Sequence, residues 1–279
     1  MGVTTATVKE FAKLLYAMAR SDRDNLLCCM GFTGEGKTCF TYQLCKEYGK
    51  ISKLGWDVNN ITWGRKEFIT WVNGEDPIKG NFKGQKPEYS AILFDELISA
   101  FNSKTWFSED QKRAVSLLNM CRDRHLLIAG NVPSMWNLEA GFTTRVRYLV
   151  HIPIRGVAWV FQQESNPFNT DPWNKAQNTK KYRMGKNRPY KLPNFLFEIN
   201  YPDWEDKEKE AYYQIRNKKR LVAQEDIKKD TPEKYTKIKL ERDNLIKAMH
   251  LVYNISQKDI AKNTGIKKSQ ISRICLGIQ

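Results

Sequence analysis

Residues 31–38 read Gly-Phe-Thr-Gly-Glu-Gly-Lys-Thr, a fit to the pattern G-x-x-x-x-G-K-[ST]. Glycines in such a turn let successive backbone N–H groups point inward around an anion. A helix starting at Lys37 adds the positive end of its dipole. In that chemistry Lys37 reaches the β- and γ-phosphates of ATP, and Thr38 offers its hydroxyl to Mg²⁺. Gly31, Thr33, Gly34, Glu35, Gly36, Lys37, Thr38 and Cys39 are therefore the candidate nucleotide-binding residues. Further on, Asp95-Glu96 closes an apolar run. Asp95 joins Thr38 as a candidate metal ligand, and Glu96 can orient and deprotonate an attacking water. An Asp-Glu pair also caps helices, and the phosphate loop upstream is what favours chemistry here. Asn131 ends a third apolar run, where its amide can meet the γ-phosphate or serve as a turn residue of Gly-Asn-Val-Pro.

Such residues need rigid elements behind them. Leu26 to Met30, Ala91 to Phe94 and Leu126 to Ala129 are short apolar runs of buried-strand length. Val8, Phe11, Ala12, Leu15 and Ala19 keep helical spacing, which predicts a helix over 5–20; Lys37 to Tyr48 continues from the phosphate loop as another. Residues 61–75 predict a short strand and a helix with Phe68, Ile69, Trp71 and Val72, and 74–88 an exposed loop. Ser108 and Gln111 form a capping box opening a helix through Ala114, Leu117, Leu118 and Cys121. Two strands, 147–153 and 157–163, meet at Arg155-Gly156. Apolar strands alternating with helices predict an α/β fold with a mainly parallel sheet flanked by helices, and the loop at Gly31–Thr38 marks that fold as a P-loop NTPase core.

After Trp173 the texture changes, and three domains are expected: the core at 1–173, a basic arm and charged linker at 174–230, and a small all-α domain at 231–279. In the arm, Tyr182 and Tyr190 are interleaved with Lys, Arg, Asn and Gln. That pattern suits either a track along a nucleic-acid backbone or a solvated loop. Thr231-Pro232 is a good helix start. Residues 257–274 match the helix-turn-helix pattern, with small Ala261 at the helix crossing and Gly265 at the turn. Ile260, Ile266, Ile271 and Ile274 form its core, and a helix over 232–252 packs beneath through Tyr235, Ile238, Leu245 and Met249. Lys267, Lys268, Ser269, Gln270, Ser272 and Arg273 are then free to meet DNA. Gln270, Ser269 and Arg273 are the side chains suited to a base edge. A protein–protein role for the same helices stays open.

Charge follows this division. The 279 residues carry 46 Lys+Arg against 31 Asp+Glu, a net of +15. Residues 1–173 hold 21 basic and 18 acidic residues, and residues 174–279 hold 25 and 13, so an anionic partner held by the later part is expected. No apolar run approaches the ~20 residues of a membrane helix. The first 20 residues lack an apolar signal core, and the six cysteines show no metal-ligand spacing. A soluble, reducing, cytoplasmic setting is expected, the host cytoplasm if the chain is viral, with no membrane partner.

The order of phosphate loop (Gly31–Thr38), acidic pair (Asp95, Glu96) and polar strand end (Asn131) resembles the additional-strand, catalytic-glutamate division of P-loop ATPases. The stretch from Leu118 to Trp136, with its Ile-Ala-Gly-Asn-Val-Pro, resembles viral DNA-packaging ATPases and their FtsK/HerA-like relatives. It also resembles helicase-loader and transposition ATPases of the IstB/DnaC type, which carry Asn-x-Pro at this strand end. The resemblance covers about residues 24–165. It implies Mg²⁺-dependent ATP hydrolysis on DNA in a homo-oligomeric ring, with a portal or another replication or packaging protein as further partner. It also implies an arginine donated by a neighbouring subunit, for which Arg122 and Arg124 come first and Arg145 and Arg147 second. A DNA-translocating packaging motor is the first expectation. A loader and an ATP-switched, DNA-binding regulator are the alternatives.

Overall fold

The computed structural model describes residues 3–23, 25–76, 79–99, 101, 122–166, 168–184, 191–229 and 233–276. The helix expected from Ser108 to Cys121, the Thr231-Pro232 helix start and Tyr190 lie outside the described residues. Two compact units divide the chain, Met1–Ala223 and Gln224–Gln279.

The first unit is built on an eight-stranded sheet in the order β1-β8-β7-β6-β2-β5-β4-β3. Its strands are β1 (Thr5–Ala6), β2 (Asn25–Met30), β3 (Ile61–Thr62), β4 (Ala91–Phe94), β5 (Leu127–Val132), β6 (Tyr148–Ile154), β7 (Val157–Gln162) and β8 (Phe195–Asn200). Among them only β7 runs against the rest. The central strands β2, β4 and β5 are apolar on both faces, as strands covered on both sides must be. Alternation sorts them into two layers. Leu27, Cys29, Leu93, Ala129 and Val150 face helices α1 (Val8–Arg20) and α2 (Lys37–Ser52). Leu26, Cys28, Ile92, Ile128 and Leu149 face α3 (Arg65–Asn73) and the short α4 (Ala140–Thr143).

Three expectations need correction. The first helix starts at Val8, not residue 5, because Thr7 and Glu10 form a capping box. Thr7 Oγ1 accepts the Glu10 N–H at 3.1 Å, and the Glu10 carboxylate accepts the Thr7 N–H at 2.7 Å. Residues 5–6 pair with β8 instead. The segment 174–230 is not an arm: it forms α5 (Lys175–Met184), β8 and α6 (Asp206–Lys229). β8 completes the sheet, with Ile199 fully buried, so the first unit runs on to Ala223 rather than ending at 173.

The second unit holds α7 (Glu233–Leu251), α8 (Gln257–Thr264) and α9 (Lys268–Leu276), packed on Ile246, Ile260 and Ile271. Gly265 ends α8 at φ 69°, and its N–H donates to the Ala261 carbonyl at 3.0 Å. Met249 packs there as expected, but Leu245 is 63% exposed while Ile246 is 2% exposed. A one-residue step is about 100° on a helix, enough to turn the expected anchor out to solvent. No helix among the described residues is long and apolar enough to cross a membrane.

Candidate functional site

β2 ends at Met30 and α2 begins at Lys37, so the glycine-rich loop joins a buried strand to a helix N-terminus. Gly36 is the N-cap of α2 at φ 97°, a left-handed backbone that side chains rarely adopt. A Cβ there would stand 3.0 Å from the Tyr201 hydroxyl. The Lys37 ammonium donates to the carbonyls of Gly31 and Phe32, each at 2.8 Å, and so spans the loop. Glu35 closes it from the other side, its carboxylate accepting the Phe32 N–H at 2.6 Å.

The sheet order then brings three expected residues together. β5 lies between β2 and β4, so the carboxyl ends of these strands put Asn131 beside the loop and beside Asp95. Thr38 Oγ1 donates to Asp95 Oδ1 at 3.1 Å. Asn131 Nδ2 donates to the same oxygen at 2.8 Å and to Thr38 Oγ1 at 3.3 Å. Thr41 fixes the amide's orientation by donating to Asn131 Oδ1 at 3.2 Å. Asp95 and Asn131 are 6% and 3% exposed, so these polar groups are satisfied by one another rather than by water.

The donor set suits Mg²⁺. A hydroxyl and a carboxylate oxygen are hard ligands, and adjacent ligands of an octahedral Mg²⁺ lie about 3 Å apart, close to the spacing of Thr38 Oγ1 and Asp95 Oδ1. Glu96 follows at φ 69°, an uncommon conformation for a non-glycine residue, and its carboxylate forms an ion pair with Arg220.

One partner of this network was not expected. Tyr212 of α6 donates its hydroxyl to Asp95 Oδ2 at 2.6 Å. Burial, with the Asp95 charge beside it, pushes the phenol's pKa well up and keeps it a donor. Its sequence signal is faint: one tyrosine of an adjacent pair in an otherwise charged helix. Around these groups lies a cavity of about 450 Å³ whose wall also includes Arg155, Trp204, Lys209, Tyr213 and Arg216. Thr33, Gly34, Gly36, Lys37, Thr38 and Cys39 line it as well. The Cys39 thiol turns toward Pro202 and Asp203, and burial and the Asp203 charge raise its pKa to about 12.

The arginines are placed elsewhere. Arg122–Arg124 is a 3-10 turn just before β5, at the strand end opposite Asn131. Four residues of β5, Leu127 to Gly130, lie between that turn and Asn131, roughly 13 Å of strand. Arg124 donates to the carbonyls of Lys86 and Val72. Arg145 and Arg147 precede β6 at the same edge. Among the described side chains, Arg124, Arg145 and Arg147 do not line the cavity of their own chain.

In the second unit Lys267, Lys268, Ser269, Gln270 and Arg273 are exposed and Ser272 is half-buried. The Lys267 carbonyl accepts the N–H groups of Gln270 and Ile271 at 2.9 and 3.1 Å, which opens α9. Ile271 and Ile274 turn inward and leave the polar face outward.

The chain matches no protein-family description and no curated protein. Among solved structures it is similar to the N-terminal domain of zonular occludens toxin from Neisseria meningitidis, at 14% identity over 67% of this chain and 98% of that one, with a TM-score of 0.39. It is also similar to the HORMA:CdnC:Trip13 complex of E. coli MS115-1, at 14% identity, 64% and 63% coverage and a TM-score of 0.31. For C. elegans PCH-2 the values are 17%, 66%, 50% and 0.28. The chain thus spans less than two thirds of the second and third of these chains.

Proposed function

We propose that the protein is a Mg²⁺-dependent ATP hydrolase that acts on DNA, with DNA translocation as its task. The observation that carries the hydrolase reading is the bonded set of Thr38, Asp95 and Asn131 at the mouth of the glycine loop, with Glu96 next to it. In this reading Lys37 exchanges its loop carbonyls for the β- and γ-phosphates, while the first N–H groups of α2 face the same oxygens. Thr38 Oγ1 and Asp95 Oδ1 would hold Mg²⁺, which when bound offsets the phosphate charge. Glu96 takes a proton from water as the water oxygen bonds to the γ-phosphorus. The bond from that phosphorus to the bridging oxygen breaks, leaving ADP and inorganic phosphate. Asn131 is held rigidly enough to report the γ-phosphate. The strand order, with β5 between β2 and β4, agrees with the additional-strand resemblance.

DNA enters through charge and shape. The polar face of α9 stands over an isoleucine core, with the glycine turn before it, as a helix-turn-helix reader requires. The positive charge is not confined there. Residues 224–279 hold 12 basic and 7 acidic residues, while 1–223 hold 34 and 24, so the first unit carries net positive charge of its own that favours a phosphate backbone.

The test is ATP turnover of the full chain with no DNA, with duplex and with single strands, and Lys37→Ala as control. A DNA-dependent rise, abolished in Lys37→Ala, is expected. Turnover indifferent to both DNAs overturns the coupling. Single-molecule shortening of duplex DNA then separates a translocating motor from a loader that assembles without moving.

A further inference from the structure

α6 contributes Lys209, Tyr212, Tyr213 and Arg216 to the cavity wall, and Arg220, one turn further on, reaches Glu96. Tyr212, Arg216 and Arg220 recur every four residues and so share one helix face. Tyr212 bonds to Asp95, the proposed metal ligand, and Arg220 pairs with Glu96, the proposed base. Arg216 lies one turn from each and lines the cavity between them. Three further contacts pin this helix to its unit: Lys219 to Glu67 at 2.9 Å and to the Ile61 carbonyl at 2.8 Å, and Glu208 to Lys46.

Three other cations of this region are held by acceptors, whereas Arg216, like Lys209 in the same wall, has no carboxylate partner among the described residues. Lys37 is held by two carbonyls, Arg155 by Asp203 at 3.3 Å, and Arg220 by Glu96. Among the described residues no carboxylate pairs with Arg216, and its Nε is shut off from solvent without a hydrogen-bond acceptor. The Tyr213 ring, 6.0 Å away, is a weak substitute. A half-buried guanidinium without an anion is costly, and a planar fork of donors is matched by the oxygens of a phosphate. A phosphoryl group attacked by water that Glu96 deprotonates, and held by a metal on Asp95, must lie between those two carboxylates.

We infer that Arg216 supplies, from the same chain, the guanidinium that binds the terminal phosphate of the nucleotide and stabilises it during transfer. This rests on the nucleotide reading above, and it moves the expected arginine from a neighbour's Arg122 or Arg124 to α6 of the chain that binds the nucleotide.

The test compares full-length protein, Arg216→Ala and Arg216→Lys in binding Mg-ADP and the Mg complex of β,γ-imido-ATP by calorimetry, with turnover alongside. Arg216→Ala should weaken the imido analogue by about tenfold or more while ADP stays within about twofold. Its turnover should fall by about 100-fold or more. Arg216→Lys, which keeps the charge and loses the fork, should fall between the two and keep the melting temperature of the unaltered protein. Equal losses for ADP and analogue, or no loss for either, overturn the assignment. A mixture of Lys37→Ala and Arg216→Ala chains should stay inactive, and recovered turnover would show that the arginine acts across subunits. If the unaltered protein binds neither nucleotide, the nucleotide reading itself fails. If it binds both and Arg216→Ala binds both equally well, only the role of Arg216 fails.

Discussion

The loop edge of the sheet and the face of α9 both present polar side chains, but they hold them in opposite ways. At the sheet edge Asp95 and Asn131 are buried, and each of their polar atoms is bonded to Thr38, Thr41 or Tyr212. On α9 the basic and amide side chains stand in water above three buried isoleucines. In the first region folding itself sets the positions of the polar atoms, so removing one atom leaves its partners buried and unsatisfied. In the second, folding places only the backbone, and a charge becomes a contact when its partner arrives. Steep single-residue effects belong to the first region; graded, salt-dependent ones belong to the second.

The largest effects test the first half of that contrast. Lys37→Ala should lose nucleotide binding, measured with a fluorescent ATP analogue. Glu96→Gln should still bind ATP but turn over more slowly by roughly 10²–10⁴, the range for a general base. Full turnover in Glu96→Gln would remove Glu96 from the base role. The next effect lies beneath α9. Ile246→Ala should cost about 2–5 kcal/mol in the second unit, whereas Leu245→Ala, at 63% exposure, should stay within about 0.5 kcal/mol. Chemical denaturation of the two variants checks this. Equal costs would mean that the second unit's polar face is not held as a rigid surface, and the contrast would blur.

Tyr212→Phe is smaller. It deletes one hydrogen bond to a buried carboxylate and should cost about 1.5–3 kcal/mol by denaturation. It should also change the Mg²⁺ concentration needed for half-maximal turnover, because one Asp95 oxygen is released. A loss of stability with an unchanged Mg²⁺ requirement would make Tyr212 a packing residue.

Tyr212 also shows where the sequence stops being legible. The glycine loop, the Asp95-Glu96 pair and Asn131 announce themselves because each sits at the end of an apolar run, and the strands β2, β4 and β5 are those runs. β8 hides because Phe195–Asn200 is mostly half-buried beside the edge strand β1 and follows a basic stretch, so local charge outweighs a short apolar signal. α6 hides for a related reason: most of its residues are charged, and only Tyr212 is deeply buried among those described. Its role depends on contacts 117 residues back with Asp95 and 124 residues back with Glu96, which no local window contains. The Leu245-for-Ile246 exchange is a matter of helical phase, settled only when α8 and α9 dock. The isoleucines of α9 mark its exposed face by contrast, which gives that face but not its partners.

The smallest expected effect is on that face, and it is the one that separates charge from geometry. Lys268→Ala with Arg273→Ala removes two exposed cations whose side chains make no hydrogen bond or ion pair among the described residues. Folding should be unchanged within about 0.5 kcal/mol, as for surface positions in general. If both contact phosphates, the slope of log affinity against log salt should fall by about two on duplex DNA. If either reads a base, the loss should instead depend on the sequence offered, at about 1–3 kcal/mol for the preferred base pair. A slope and a sequence preference that both stay put would move DNA off α9 and onto the larger basic surface of the first unit. Because the alanines leave Ile246, Ile260 and Ile271 untouched, such a result could not be blamed on a collapsed core. The two regions would then share one character, and the contrast between them would be one of burial alone.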